Sequence, residues 1–164
     1  MTDSHKLHSS WCFYVHHSMD TDWSIESYRK IMEMKSVEDF ILFFKEIPSS
    51  LFDHYMIFIM RDSIQPLWEC TENEKGGCFS TKIEKGKIKQ NVYRLLSSII
   101  GETIIDDSSI RNKINGISIS PKKNCCILKL WMCDNTMSKH IHLMQTIQED
   151  RSKILYKQHH IETK

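Results

Sequence analysis

The sequence lacks the usual signatures of a metal, cofactor or catalytic site. No two cysteines form a C-x-x-C pair, and no two histidines have zinc-finger spacing. No nucleophile–base pair and no glycine-rich cofactor loop is recognisable. We therefore expect a protein that is not an enzyme and holds neither metal nor cofactor. Its cysteines are expected to be free thiols in a reducing compartment: Cys12, Cys70, Cys78, Cys125, Cys126 and Cys133.

An excess of one charge is also missing. Lysine plus arginine number 22 and aspartate plus glutamate 21, giving a formal charge of +1. A broad electrostatic attraction to nucleic acid is thereby excluded, so any contact with nucleic acid must be local. The N-terminus has no apolar signal-peptide core, and no apolar run approaches the length of a membrane span. These features predict a cytosolic or nuclear protein without a membrane role.

Length and hydrophobic content favour one domain. With 164 residues, 40% of them hydrophobic, the chain is long enough for a single core and short for two. We expect a flexible N-terminal segment over 1–10 and one domain over 11–160. Alternating or continuous apolar patterns predict strands at 11–16, 55–60, 78–83, 116–122, 126–132 and 154–156. Helical spacing predicts helices from residue 36 through 44, from 92 to 100 and from 136 to 149, with a loop over 102–113.

The stretch from Ile64 to Phe79 is the most informative about function. Pro66 leads into Trp68 and Glu69, and a polar run then ends in two glycines. This pattern predicts a loop that presents an aromatic face beside a carboxylate, which accepts hydrogen bonds and donates none. A positively charged purine would satisfy both groups, by stacking with a cation–π component and by two hydrogen bonds.

Two further regions offer aromatic side chains. Trp23 follows a polar loop, where it is either exposed for function or folded back onto the core. Strands 116–122 and 126–132 predict a hairpin with one polar face, which suits a phosphorylated aromatic ligand or is simply a solvated sheet surface with one tryptophan. That face would carry Ser118, Ser120, Lys122, Lys129 and Trp131.

The helix that begins after Ser36 has an unusually wide apolar surface. A serine followed three residues later by Asp39 is typical of a capping box. The run from Phe40 to Phe44 is apolar without interruption, which is more than one buried face requires. We therefore expect this helix either to lie deep in the fold or to face a partner.

Taken together, these features resemble the eukaryotic translation initiation factor 4E family, which binds the 7-methylguanosine cap of messenger RNA. The order and spacing of the motifs carry the resemblance over nearly the whole chain. They are His5-x-Leu-x-x-x-Trp11, Trp23, Val37-Glu-Asp-Phe40, Ile64-x-Pro-x-Trp-Glu69, Asn73, Gly76-Gly77, Ile100-Gly-Glu102, Gly116 and Trp131. The resemblance implies an α+β fold: one curved antiparallel sheet of about eight strands, about three helices on its convex face, and the cap in the concave mouth.

The resemblance also implies roles for individual residues in cap binding. Trp23 and Trp68 would sandwich the methylated base, and Glu69 would accept hydrogen bonds from its edge. Trp131 would lie against the N7-methyl group. Lys122 stands where the family has an arginine for the phosphates, and Lys123 or Lys129 would replace a lysine that the family has nearby.

The implied partner surface departs from the family pattern. The positions that receive the peptide of the family's scaffold protein carry Val37, Ile41, Tyr93, Arg94 and Ser97, so the usual contacts are not expected. The resemblance thus implies recruitment of capped messenger RNA for translation initiation. A cap-binding repressor or decoy that does not engage the usual scaffold is the alternative. We expect a cytoplasmic protein that is monomeric without its partner, from a virus or a protist.

Overall fold

A computed structural model describes residues 4–159 as one antiparallel sheet with helices. Within these residues the sheet has seven strands in the order β2-β1-β3-β5-β6-β4-β7. The strands are β1 (Lys6–His17), β2 (Arg29–Ser36), β3 (Tyr55–Arg61), β4 (Gly77–Glu84), β5 (Ile114–Pro121), β6 (Cys125–Met132) and β7 (Leu155–Gln158). The helices are α1 (Val37–Glu46), α2 (Leu51–His54), α3 (Ile88–Ile100) and α4 (Ser108–Arg111). This curved α+β architecture confirms the expected fold class, with two long and two short helices.

The two faces of the sheet have different roles because neighbouring side chains of a strand point to opposite sides. In β1, Trp11 and Phe13 join the main core beneath α1 and α3, whereas Cys12 and Tyr14 lie on the other side. We call this other side the open face. It carries a second, smaller cluster of buried residues: Cys12, Tyr14, Phe58, Met60, Cys78 and Trp131.

Helices α1 and α3 form where capping and apolar spacing predict them. The Ser36 hydroxyl accepts a hydrogen bond from the Asp39 N–H, and the Asp39 carboxylate accepts one from the Ser36 N–H, which completes the capping box. Helix α1 buries Phe40, Phe43 and Phe44 and leaves two apolar side chains largely exposed. These exposed side chains are Ile41 and Leu42.

Sequence patterns located the other central elements and missed some peripheral ones. The predicted central strand is β3, whose residues 57–61 are all buried, and the predicted hairpin is β5–β6. Strand β2 was not predicted, because most of its side chains are exposed or half-buried on an edge strand. Strand β1 begins at Lys6, inside the predicted N-terminal segment, and the predicted domain end at residue 160 lies outside the described residues.

The predicted helix over 136–149 is wrong. The chain instead makes short 3-10 turns at Asn135–Lys139 and Ile141–Met144. These turns still bury Met137, Leu143 and Met144. The apolar spacing therefore indicated that this segment packs on the core, but the segment is not an α-helix. Serine, threonine and histidine, which are weak helix formers, recur through this segment and do not sustain a continuous α-helix. Among residues 4–159, none of the helices is long and apolar enough to cross a membrane.

A buried arginine ties the end of β3 to the neighbouring elements. The Nε of Arg61 donates to the Ile114 carbonyl at 2.8 Å, and its Nη1 donates to the Ser9 hydroxyl at 2.9 Å. The guanidinium also lies 4.7 Å from the centre of the Trp11 ring. Glu102, which follows α3 with a φ of 56°, forms ion pairs with Arg61 and Arg111. The left-handed residue after α3 is therefore Glu102, while the preceding Gly101 has a φ of −77°.

We expect Arg61→Ala to destabilise the fold strongly. The substitution removes a buried cation, takes away the side-chain donor to the Ile114 carbonyl and removes one of the two ion-pair partners of Glu102, which together should cost about 3–5 kcal/mol of unfolding free energy. Urea-induced unfolding followed by circular dichroism measures the loss. Arg94→Ala, at an exposed position of α3, serves as the control and should stay within about 0.5 kcal/mol of wild type. Equal stability of the two variants would contradict the role given to Arg61.

Candidate ligand-binding site

A cavity of about 300 Å³ lies on the open face of the sheet, near the edge formed by β4 and β7. It combines two tryptophans, two lysines and a histidine with smaller polar groups. The residues that line it are Trp68, Cys78, Ser80, Lys129, Trp131, Lys157, Gln158 and His159. Of the predicted site residues, the structure thus brings Trp68, Lys129 and Trp131 together.

Strand register explains why residues distant in sequence meet here. Cys78 of β4 pairs with Trp131 of β6 on one side and with Lys157 of β7 on the other. Two residues further along β4, Ser80 pairs with Lys129. Because side chains two residues apart share a face, these five side chains form two parallel rows on the open face.

Trp131 forms the fixed base of the cavity. Its side chain is only 6% exposed, and its indole N–H donates to the Ser118 hydroxyl at 2.9 Å. Phe58 contacts it edge to face, with ring centres 6.2 Å apart. The polar end of the indole is thus satisfied inside the protein, and its orientation is held by a hydrogen bond and by packing.

The loop that carries Trp68 and Glu69 is held by a buried side-chain amide. Asn73 is fully buried, and its Nδ2 donates to the carbonyls of Gln65 and Leu67 at 3.1 and 2.8 Å. Its Oδ1 accepts from the Asn115 amide of β5 at 2.8 Å. The loop is thereby tied to itself and to the sheet, which defines the backbone from which Trp68 projects.

Gly76 brings the end of this loop against the sheet. A Cβ at this position would lie 1.7 Å from the Met132 carbonyl oxygen, which no side chain tolerates. The absence of a side chain therefore permits the close approach of the loop to β6. Trp68 itself is 44% exposed, and Glu69 is exposed beside it.

Trp23 lies against a buried histidine. Its indole stacks on the His16 imidazole with ring centres 4.3 Å apart and planes only 6° from parallel. His16 Nε2 lies 2.7 Å from the carbonyl oxygen of Asp22, the residue before Trp23. Because Trp23 remains 51% exposed, one face of its ring rests on His16 while much of the side chain faces solvent.

Tyr28 connects this region to Glu69. Its ring lies 4.9 Å from that of His16 and contacts Phe58 edge to face. Burial, together with the negative charge of Glu69, raises the pKa of Tyr28 to about 12. Glu69 is thus close enough to act electrostatically on the Tyr28 phenol, which packs against the smaller cluster on the open face.

The two other candidate lysines lie at the tip of the hairpin. Lys122 and Lys123 are exposed in the β5–β6 turn, which is closed by a hydrogen bond from the Lys122 N–H to the Cys125 carbonyl. Lys129 lies on β6 and lines the cavity directly. The cavity contains a second lysine that the sequence patterns did not indicate, Lys157.

The thiol and the imidazole in the cavity are both held uncharged. Burial raises the pKa of the Cys78 thiol to about 12. Burial, assisted by the charge of Lys129, lowers the pKa of His159 to about 4. At neutral pH the cationic groups of the cavity are therefore its lysines, and His159 presents a neutral ring.

Sequence reasoning missed several residues of this region. Lys157, Gln158 and His159 follow a short strand near the chain end, and pairing of β7 with β4 is what brings them to the cavity. His16 and Tyr28 lie in segments without a recognisable ligand motif. For Lys157, Gln158 and His159, the sequence shows only a polar segment after the predicted last strand. Such a segment does not indicate which strand it pairs with.

We expect Asn73→Ala to loosen the loop that carries Trp68. The change removes the side-chain hydrogen bonds to Gln65, Leu67 and Cys70 and leaves the Asn115 amide short of an acceptor, at a cost of about 1–3 kcal/mol in unfolding free energy. Hydrogen exchange should show faster exchange of backbone amides over residues 64–76 than in wild type. Asn91→Ala, in the first turn of α3, provides the matched control, because the half-buried Asn91 amide donates locally to the Lys87 carbonyl. Unchanged exchange in the loop would contradict the bracing role of Asn73.

The lowered pKa of His159 predicts a pH-dependent contribution to stability. The imidazole takes up a proton more readily in the unfolded chain, near its ordinary pKa of about 6.5, than in the folded protein. Its contribution is therefore complete above that value and is lost as pH falls towards about 4. Thermal unfolding from pH 7.5 to 4.5 should show a smaller loss of Tm for His159→Phe than for wild type. Parallel curves for the two proteins would contradict this assignment.

The architecture is that of a single-domain antiparallel-sheet protein with an aromatic, lysine-lined cavity on its open face. The family model described as eukaryotic initiation factor 4E matches residues 6–164. The eukaryotic translation initiation factor 4E of Candida albicans is 29% identical over 163 residues, covering 92% of this chain and 73% of that protein. The corresponding Saccharomyces cerevisiae protein is 32% identical over 137 residues, covering 77% of this chain and 61% of that protein.

A solved structure shows the same fold. The complex of Ascaris suum initiation factor 4E-3 with an m2,2,7G cap superposes with a TM-score of 0.83 at 21% identity, covering 99% of this chain and 95% of that one. With the family model matching nearly the whole sequence, the chain belongs to the eukaryotic initiation factor 4E family.

Proposed function

We propose that this protein binds the 7-methylguanosine 5′ cap of messenger RNA and recruits the message for translation initiation. The observation that carries the proposal is the cavity in which Trp68, Trp131 and Lys129 meet on the open face. It offers aromatic surface for a base and positive charge for phosphates. Membership of the family and the cap complex of the similar Ascaris protein support the same conclusion.

Stacking is the main source of affinity for the methylated base. Methylation at N7 gives guanine a positive charge, so an indole on either side adds a cation–π term that unmethylated guanine lacks. In this proposal Trp68 supplies one face, and Trp23 supplies the other with the side of its ring that does not rest on His16. His16 then backs the Trp23 ring, and Trp131 lies against the methyl group.

Glu69 provides selectivity for guanine. A carboxylate accepts hydrogen bonds from the N1–H and the N2 amino group of the base edge, and it donates none. The Trp68 backbone N–H would face O6 of the same base. Since Asn73 and Asn115 hold this loop, the carboxylate and the Trp68 indole are positioned together.

The phosphates are assigned to the lysines. Lys129 lies in the cavity beside Ser80, and Lys122 and Lys123 lie at the hairpin tip further along the same strand pair. Lysine offers a compact charge where the family's arginine would offer a two-pronged contact. We therefore expect phosphate binding to depend more strongly on salt and less on exact geometry.

Substitutions in the loop test base recognition. Trp68→Ala and Glu69→Gln should each raise the Kd for 7-methyl-GTP by about 30-fold or more, because one removes a stacking face and the other replaces a charged acceptor. Titration followed by tryptophan fluorescence or calorimetry gives the constants, with GTP as the unmethylated comparison. Equal affinity of wild type for 7-methyl-GTP and GTP would refute the proposed function.

Glu74→Gln is the matched control for Glu69→Gln. Glu74 is an exposed glutamate of the same loop, and its substitution removes the same charge. We expect its Kd for 7-methyl-GTP to remain within about twofold of wild type, since a charge that does not contact the base acts only through a screened field. A comparable loss in both variants would reduce Glu69 to a general electrostatic role.

The helix-covered side offers a separate surface for a protein partner. A shallow cavity of about 540 Å³ lies between α1 and α3 and contains Ile41, Phe44 and Tyr93. Val37 and Leu42 are also exposed on α1, so further apolar side chains of the same helix face solvent. Exposed apolar side chains beside polar ones are typical of protein–protein contacts, and we propose that a scaffold protein binds here.

The chemistry of α3 favours a partner different from the family's usual peptide. Arg94 is exposed and places a positive charge where the family has a glutamate. Ser97 turns its hydroxyl back to the Tyr93 carbonyl at 2.6 Å and offers no apolar contact. These features support the second candidate function, a cap-binding repressor or decoy that does not recruit the usual scaffold.

Partner capture separates the two functions. Cap-affinity beads loaded with wild-type protein should retain a scaffold together with its helicase if the protein promotes initiation, and should retain neither if it represses. We expect Ile41→Asp to abolish any capture that occurs, because it buries a charge in an apolar contact. Thr103→Asp, at an exposed position after α3 and outside both cavities, is the control for a nonspecific effect of added charge. Unchanged capture by Ile41→Asp would move the partner site elsewhere.

A further inference from the structure

We propose that His159, which follows β7, forms an aromatic wall of the cap cavity and helps to select the methylated base. This inference rests on the proposed function, and it concerns a residue outside the motifs that indicated the site. The observation behind it is that the last described segment of the chain lines the cavity together with Trp68 and Trp131.

The backbone of His159 is fixed at the edge of the site. Strand β7 pairs with β4, and the pairing places Lys157 opposite Cys78. Immediately afterwards, the His159 N–H donates to the Gly76 carbonyl at 3.0 Å. Gly76 ends the loop that carries Trp68, so the chain end and the tryptophan loop are held together.

The imidazole is fixed by two contacts inside the cavity. Its ring centre lies 4.8 Å from that of Trp131, with the planes tilted by 43°. Its Nε2 lies 3.6 Å from the Cys78 sulfur. These two contacts fix the orientation of the His159 ring. The ring therefore lies in a defined position beside Trp131, the residue assigned to the methyl group.

The protonation states of the pair determine what this surface offers. The pKa of Cys78 is raised to about 12, so the sulfur carries its hydrogen, and the pKa of His159 is lowered to about 4, so the imidazole is neutral. The Cys78 thiol and the His159 Nε2 therefore meet as neutral groups within hydrogen-bond distance. His159 presents an uncharged ring.

An uncharged ring suits a cationic base. A charged imidazole beside the N7-methyl group would repel it, whereas a neutral aromatic surface adds favourable contact with a positive ring system. The cations Lys129 and Lys157 remain available for the phosphates. The cavity therefore separates neutral aromatic walls from lysines, which matches the division of charge in a methylated cap.

Two substitutions of His159 and one control test the inference. His159→Ala removes the ring, and His159→Phe keeps an aromatic ring without the nitrogens. His142→Ala alters an exposed histidine in the turn at Ile141–Met144. The Kd values of each full-length variant for 7-methyl-GTP and for GTP are measured at pH 7.5 by calorimetry, with Tm recorded beside them.

We expect His159→Ala to weaken 7-methyl-GTP about tenfold and GTP by no more than about twofold, because the lost surface acts mainly on the cationic base. His159→Phe should stay within about threefold of wild type for both ligands, and His142→Ala should be unchanged. A merely structural role would weaken both ligands in proportion and lower Tm.

Three results would overturn the inference while leaving cap binding intact. They are wild-type affinity of His159→Ala for 7-methyl-GTP, an equal loss for both ligands, and failure of His159→Phe to retain affinity. If wild type itself does not distinguish 7-methyl-GTP from GTP, the proposed function fails, which is a different outcome.

Discussion

The strict alternation of side chains across the paired strands β4 and β6 is the constraint on which the rest of the molecule depends. Along β6, Leu128 and Leu130 enter the core beneath the helices, while Lys129 and Trp131 point to the open face. A shift of register by one residue would exchange the core for the site. The alternation of side chains that stabilises the sheet thus also forms one side of the cavity. Folding and the proposed recognition therefore depend on the same strand register.

The Trp68 loop and Trp23 are attached to the sheet by contacts that differ in rigidity. The Trp68 loop is tied down by the buried amides of Asn73 and Asn115 and by the close approach of Gly76 to β6. Trp23 is held less tightly, by one stack on His16 and its neighbouring carbonyl contact. In the proposed function, Trp68 is therefore positioned before the cap binds, whereas Trp23 can adjust to the cap.

A near-zero net charge is compatible with the proposed phosphate site, because such a site needs only a few cations close together. Lys129 and Lys157 lie in a cavity whose other ionisable groups, Cys78 and His159, are held neutral. The helix-covered side is independent of this arrangement, since the sheet and its core separate the two surfaces. In the proposed function, changes at Arg94 and Ser97 can therefore alter partner choice without affecting the residues assigned to the base.

The sequence by itself determined the family, the fold class, the central strands, the two long helices and the loop of Trp68 and Glu69. These features depend on local periodicity, capping and motif spacing, which are written along the chain. Edge strand β2 and the turns within 136–149 were missed or mispredicted, because their patterns are weak and packing decides their conformation. Only the tertiary structure decided that His16 supports Trp23 and that His159 reaches Trp131. Such contacts follow from which strands pair, a non-local choice that no short stretch of sequence specifies.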